Sequence, residues 1–78
     1  MYILEKNKIK DENEWVSLDY HEKEHTLYID KVWVKENKRG LGLAKDIMDY
    51  FIDLYPNKEI IGLCSYAQNY LAKKANKP

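Results

Sequence analysis

Apolar residues alternate with polar ones along the first half of the chain, and they change to a helical spacing in the second half. Residues 1–5, 14–20 and 26–34 carry alternating or densely β-branched and aromatic patterns, which are typical of half-buried strands. Residues 21–24 are polar and predict a hairpin loop between the last two of these segments. The first half therefore predicts three antiparallel strands.

Residues 43–55 place apolar side chains on one face and charged ones on the other, which predicts an amphipathic helix that Pro56 ends. Residues 59–65 are typical of a compact buried strand, and residues 66–75 of a short closing helix. The order β-β-β-α-β-α predicts one α+β (mixed α/β) domain over residues 1–78, with a single sheet of about four strands. The connection through the first helix is long enough for a parallel strand pair.

Composition narrows the function classes. A formal net charge of +0 over 78 residues argues against a general nucleic-acid or anionic-membrane binder, because such proteins usually carry a basic excess. No stretch approaches the ~20 apolar residues that span a bilayer, and the start of the chain lacks a signal-peptide pattern, so a cytoplasmic location is expected. One cysteine and two histidines without metal-ligand spacing predict no metal site.

A glycine turn, Arg-Gly-Leu-Gly-Leu-Ala at residues 39–44, separates the clearest strand from the clearest helix. No Ser, Thr, Asp or Asn stands there to cap the helix, whereas Gly40 and Gly42 allow another molecule to approach the backbone closely. The free N–H groups at the positive end of a helix dipole suit a phosphate or pyrophosphate. A plain turn capped by water is the alternative, and spacing alone leaves both open.

The residues of this turn also carry a resemblance. Arg39, Gly42 and Ala44 fit the (Q/R)-x-x-G-x-(G/A) pyrophosphate signature of GNAT acetyltransferases. Further along, Cys64-Ser65-Tyr66 stands where the minimal YjdJ-type single-domain GNAT-like proteins carry Cys-x-Tyr. The chain resembles this subfamily over roughly residues 28–71.

The resemblance implies a binding site for acetyl-CoA, the acyl donor, where two parallel strands splay apart. It implies that the strand before the turn pairs with the pantetheine arm, that the amides of the turn hold the pyrophosphate, and that Asn69 lies near the pantetheine. The residues implied are Val32, Trp33 and Val34 for the arm, and Arg39, Gly40, Leu41, Gly42, Leu43 and Ala44 for the pyrophosphate.

Two residues are the catalytic candidates. Cys64 could accept the acetyl group as a thiolate or act as a base, with the amino terminus of a helix or Lys31 supplying positive charge nearby. It could instead be a small buried hydrophobe. Tyr66 could protonate the departing CoA thiolate, or it could pack on the last helix. Relatives commonly carry His-Thr where Lys31-Val32 stands here, and His25 lies six residues upstream, about 20 Å along a strand. No histidine role is therefore carried over.

The resulting hypothesis is an N-acetyltransferase that moves an acetyl group from acetyl-CoA to an amine, either a protein amine or a small polyamine. The alternative is a non-catalytic module that binds CoA or acyl-CoA, and a protein-interaction domain is a third class. A monomer and a homodimer are both open.

Overall fold

The computed structural model describes residues 1–75, in which five strands and two helices follow one another. The elements are β1 (Tyr2–Glu5), β2 (Lys8–Asp11), β3 (Val16–Lys23), β4 (Thr26–Val34), a 3₁₀ turn (Glu36–Lys38), α1 (Leu43–Leu54), β5 (Glu59–Gly62) and α2 (Ser65–Ala75). They form one sheet in the order β1-β2-β3-β4-β5, antiparallel throughout except for the parallel pair β4 and β5. The predicted α+β class and the parallel pair are confirmed. The predicted domain also includes residues 76–78, which lie outside the described part.

The sheet has one strand more than predicted, because β2 carries a weak sequence signal. Its sequence Lys-Ile-Lys-Asp contains a single apolar residue. That residue, Ile9, is fully buried between Leu4 of β1 and Leu18 of β3, while the lysines beside it stay more exposed. Asn7 makes the preceding turn with a positive φ of 62°, a conformation that asparagine adopts more readily than most residues. Pairing on both sides, rather than propensity, makes this segment a strand.

The hairpin between β3 and β4 is longer than predicted. Residues 21–23 belong to β3, and the turn consists of Glu24 and His25, which have φ values of 52° and 70°. Cross-strand pairs continue to the tip, where Lys23 lies opposite Thr26. Polarity predicted a loop here, but an exposed strand end needs only backbone pairing and can carry charged side chains. His25 is therefore a turn residue.

Both helices cover the same face of the sheet. One continuous core joins strands and helices, and an ion pair at 3.8 Å links Lys74 of α2 to Asp49 of α1. The opposite face carries no helix within residues 1–75. The predicted apolar face of α1 is confirmed, although the helix ends at Leu54, one residue early. The fully buried core consists of Ile9, Val16, Leu18, Leu27, Ile29, Ile47, Met48, Phe51 and Ala67.

Gly62, the last residue of β5, lets α2 lie directly against the sheet. A Cβ at this position would stand 2.8 Å from backbone atoms of Ala67 and Gln68, closer than real contacts allow. We expect Gly62→Ala to lower the free energy of unfolding by about 1–3 kcal/mol, because a helix backbone has to shift. That is a large part of the roughly 4–12 kcal/mol typical of a chain this size. Urea denaturation measures it.

Ser65→Ala is the matched control, because Ser65 is exposed at the first position of the same helix. It should change stability by less than about 0.5 kcal/mol. Equal unfolding midpoints for Gly62→Ala and Ser65→Ala would contradict the close approach.

Tyr20 links the stability of the fold to alkaline pH. Its ring packs on Phe51 at 4.9 Å, and burial together with a hydrogen bond to Tyr55 raises the pKa of its phenol to about 12 from the usual 10.0. The folded state holds this proton more tightly than the unfolded chain, so the stability it contributes is complete below pH 10 and is lost as pH rises towards 12. We expect the urea midpoint to fall over this range, and to fall less in Tyr20→Phe. Identical pH dependence in both proteins would contradict this account.

Candidate active site

The parallel strands β4 and β5 part before β4 ends. Their last pair is Ile29 with Gly62, and the amide of Leu63 donates to the carbonyl oxygen of Ile29 at 2.9 Å. The chain then enters α2 at Ser65, whereas β4 continues to Val34 paired only with β3. One edge of residues 31–34 therefore has no strand partner in the described structure.

A β-bulge interrupts β4 where β5 leaves it. Asp30 is the extra residue, because its neighbours Ile29 and Lys31 pair with consecutive residues of β3. The bulge resets the alternation of side chains, so Val32 and Val34 pack against the core on the helix-bearing face. An unbroken strand would have turned both of them away. The open edge of β4 thus presents apolar side chains beside α1.

The backbone of this edge has hydrogen-bonding capacity to spare. The amide of Lys35 donates to the carbonyl oxygen of Trp15 at 2.7 Å, so Lys35 and every second residue before it, as far as the bulge, direct their backbone groups towards β3. Because residues of an antiparallel strand alternate between the two neighbours, the N–H and C=O groups of Val32 and Val34 point to the open edge. An extended ligand with amide groups could pair there as another strand would.

The glycine turn leaves the start of α1 uncapped. Gly42 is the N-cap in the left-handed conformation, with φ 79° and ψ 14°, and no side chain caps the helix. Its carbonyl oxygen accepts from the amide of Asp46 at 3.0 Å, but the amides of residues 43–45 have no acceptor within the helix. Gly40 also has a positive φ, 84°, and a Cβ on either glycine would meet nothing within 4 Å. Free amides and open space thus coincide at the positive end of the helix dipole.

A groove of about 510 Å³ runs from this turn along the open edge of β4 to the start of α2. Four cationic side chains and no carboxylate line it, although the chain as a whole has no net charge. Lys45 is held by Asp49 at 2.8 Å, and this contact raises the pKa of the lysine. The lining residues are Lys31, Val32, Trp33, Val34, Lys38, Arg39, Gly40, Gly42, Leu43, Ala44, Lys45 and Tyr66. The groove therefore suits an elongated ligand with an anionic end.

Tyr66 closes the groove from the first turn of α2. Its side chain is 39% exposed and stacks on Tyr70 with ring centroids 6.4 Å apart. Burial, and then the charge of Asp49, raises the pKa of the Tyr66 phenol, while Lys45 opposes the shift. The phenol therefore stays protonated at neutral pH.

Comparison with protein families decides which group of proteins this architecture represents. A family model described as GCN5-related N-acetyl-transferase matches residues 3–77, almost the whole chain. The chain belongs to the GCN5-related N-acetyl-transferase family. The expected GNAT resemblance is confirmed.

A solved structure supports the same fold for this GCN5-related chain. The solution NMR structure of a GCN5-like protein from Staphylococcus aureus is similar over 95% of this chain and 79% of that one, with a TM-score of 0.78 and 25% sequence identity. A search of curated proteins found no match.

In this GCN5-related chain the structure brings most of the predicted site residues together. The groove lining includes the three residues predicted for the pantetheine arm, five of the six predicted for the pyrophosphate, and Tyr66. Leu41 belongs to the turn itself but points its side chain outward, 63% exposed. Asn69 is exposed on α2 and does not line the groove. The assigned roles stay predictions.

Cys64 also lies outside the groove lining, at the N-cap position of α2. Its sulfur accepts from the amide of Ala67 at 3.5 Å, and its side chain is partly buried against the core. A sulfur that caps a helix has a structural task of its own. The geometry therefore fits the packing alternative for Cys64 better than the nucleophile.

Two lysines of the groove, Lys38 and Lys45, were not predicted as site residues, and Lys31 was named only as a possible cation beside Cys64. Lys38 and Lys45 directly flank the glycine turn, so their positions in the sequence could have indicated them. The bulge turns Lys31 towards the helix-free face, and Lys31 lines the groove as well because it lies on the open edge of β4. Within residues 1–75, no three His, Cys, Asp or Glu side chains gather as a metal ion requires, and no helix is long and apolar enough to cross a membrane.

Proposed function

We propose that this chain transfers an acetyl group from acetyl-CoA to an amine. The observation that carries the proposal is the continuity of one groove, in which free helix amides at one end meet an unpaired strand edge that leads to a tyrosine. Acetyl-CoA has matching parts in the same order: a pyrophosphate, an extended arm with amide groups, and a thioester. Family membership supports this assignment.

The amides at the turn and the groove cations would hold the pyrophosphate. The N–H groups of residues 43–45 lack acceptors in the helix, and Arg39 makes none of the ion pairs found among the described residues. A diphosphate can accept from several amides at a helix N-terminus, where the dipole also favours negative charge. The neutral overall charge is no obstacle, because the field that matters is local.

The arm of acetyl-CoA would lie along β4 towards the bulge. Val32 and Val34 offer backbone donors and acceptors, and Trp33, 40% exposed, adds apolar surface at the edge. Val34 lies four positions after Asp30, which is about 13 Å of strand. The thioester would therefore lie near the point where β4 and β5 part, beside Tyr66.

In the reaction, the amine nitrogen attacks the thioester carbonyl carbon, a C–N bond forms and the C–S bond breaks. Tyr66 would give its proton to the leaving CoA sulfur, because a tyrosine phenol is protonated at neutral pH. The helix-free face of the sheet leaves room for an exposed protein amine or a small polyamine.

The deciding experiment is a CoA titration followed by amide NMR. The resonances of Gly40, Gly42 and the first turn of α1 should shift with CoA, together with those of Val32 and Val34. At a CoA concentration of about 100 times its dissociation constant, bound ligand should add about 2.7 kcal/mol of stability. Unmoved resonances with no change in melting temperature would rule out the proposal.

A non-catalytic CoA-binding module is the second candidate, and the capping role of Cys64 favours it. Intact mass after incubation with acetyl-CoA separates the two cases for this residue. An adduct of about 42 Da that disappears in Cys64→Ala would indicate a covalent acyl-enzyme. CoA binding with neither adduct nor acetylated amine would leave the binding module.

A further inference from the structure

A histidine and a carboxylate meet on the helix-free face of the sheet. Nδ1 of His21 lies 2.9 Å from an Oδ of Asp30, and the imidazole stacks on Tyr28 with ring centroids 5.1 Å apart and planes 14° from parallel. Asp30 thus holds the imidazole through Nδ1 and Tyr28 holds it through one ring face. Nε2 makes no hydrogen bond to another described residue. His21 and Asp30 are 43% and 40% exposed at their side chains, so a solute can reach them.

This pair lies where the parallel strands part. Asp30 is the bulged residue immediately after the last β4–β5 pair, Ile29 with Gly62. A shallow cavity of about 320 Å³ on the helix-free face shares Lys31 and Trp33 with the groove on the helix-bearing face. The cavity includes Lys31, the residue after Asp30, but the His–Asp pair itself does not line it. The open edge of β4 therefore connects the two faces of the sheet. A donor lying in the groove and an acceptor arriving from the other face would meet at this edge.

We infer that His21 is the general base for the acceptor amine and that Asp30 is its positioning residue; this rests on the proposed acetyltransferase function. With Nδ1 directed at the Asp30 carboxylate, Nε2 is the atom that takes a proton. An ammonium acceptor gives up two protons when it becomes an amide. One of them leaves through His21 to solvent, and the other replaces the proton that Tyr66 gives to the CoA sulfur.

A surface contact without catalytic function makes a different prediction. An exposed His–Asp pair contributes only about 0–1 kcal/mol to stability, and its loss would not alter turnover. A general base contributes about 10²–10⁴-fold to the rate. The turnover of variants that are shown separately to be folded and to bind CoA therefore discriminates between the two explanations.

The test uses the full chain with acetyl-CoA as donor, and with spermidine and a lysine-containing peptide as acceptors. His21→Ala should lower kcat/KM by about 10²-fold or more, keep the CoA affinity of the wild type, and recover at least about tenfold with added imidazole. Asp30→Asn should lower kcat with little change in the KM for the acceptor, and Asp30→Glu should restore part of it. The matched control is His25→Asn, because His25 occupies a positive-φ turn that asparagine tolerates.

The outcomes are separable. If the wild type acetylates amines and His21→Ala does so within about threefold of it, the base is wrong and the proposed function stands. If the wild type binds CoA but acetylates neither acceptor, the transferase function is wrong and the base with it. A loss of rate in His21→Ala without imidazole rescue, accompanied by an equal loss in His25→Asn, would show a structural effect and overturn the inference.

Discussion

Gly42→Asn should lower the affinity for CoA by at least about tenfold while the protein stays folded. Gly42 is the N-cap of α1 at φ 79°, and a Cβ built there meets no protein atom within 4 Å. Asparagine adopts the left-handed region more readily than other residues with a side chain. Its amide group, however, would project into the space proposed for the pyrophosphate, where its carbonyl oxygen competes for the free N–H groups. Isothermal titration with CoA measures the loss.

Two further variants separate occlusion from strain. Gly42→Ala adds only a methyl group but pays about 1–2 kcal/mol for the left-handed conformation, so it should lose more stability and less affinity than Gly42→Asn. Glu24→Asn, at the positive-φ tip of the β3–β4 hairpin, should change neither. Wild-type affinity in Gly42→Asn would show that the diphosphate binds elsewhere.

The elements nearest the groove were the most predictable ones. β4 was predicted with the bounds that the structure shows because six of its nine residues are β-branched or aromatic. α1 was predicted to within one residue because its apolar face is regular. These strong patterns bracket the glycine turn, so its place before a helix followed from the sequence. β2 and the end of β3 were missed, because their strand conformation depends on pairing with neighbours that a local pattern does not contain.

The bulge at Asp30 explains most of what the sequence could not predict about the site. Nothing in the local pattern reveals an extra residue in β4, because it depends on the register with β3. Yet this one residue decides that Val32 packs beside the groove and that His21 reaches a carboxylate. A polar stretch predicted as a loop thus contributes to a strand and brings a histidine to the parting of β4 and β5.

Tyr66→Phe should lower kcat by about 10²–10⁴-fold with little change in CoA affinity, if the phenol is the proposed acid. A tyrosine phenol carries its proton at neutral pH, and burial and the nearby charge of Asp49 raise the pKa of Tyr66 further, so a proton is available for the CoA sulfur. Phenylalanine keeps the ring and its stack on Tyr70, but it has no proton to give. Steady-state kinetics, with CoA affinity measured separately, isolate the chemical step.

Tyr70→Phe is the matched control for this substitution. Tyr70 lies one turn further along α2 and stacks on the ring of Tyr66. Both tyrosines line a cavity between the helices, but Tyr70 does not line the groove. Its hydroxyl is therefore out of reach of a thioester at the open edge of β4, and its loss should leave kcat within about twofold of the wild type. If Tyr66→Phe is equally active, the CoA sulfur takes its proton from solvent and the groove only binds. A large loss of kcat in Tyr66→Phe but not in Tyr70→Phe means that the proton comes from the Tyr66 phenol, because each variant removes a single hydroxyl from α2.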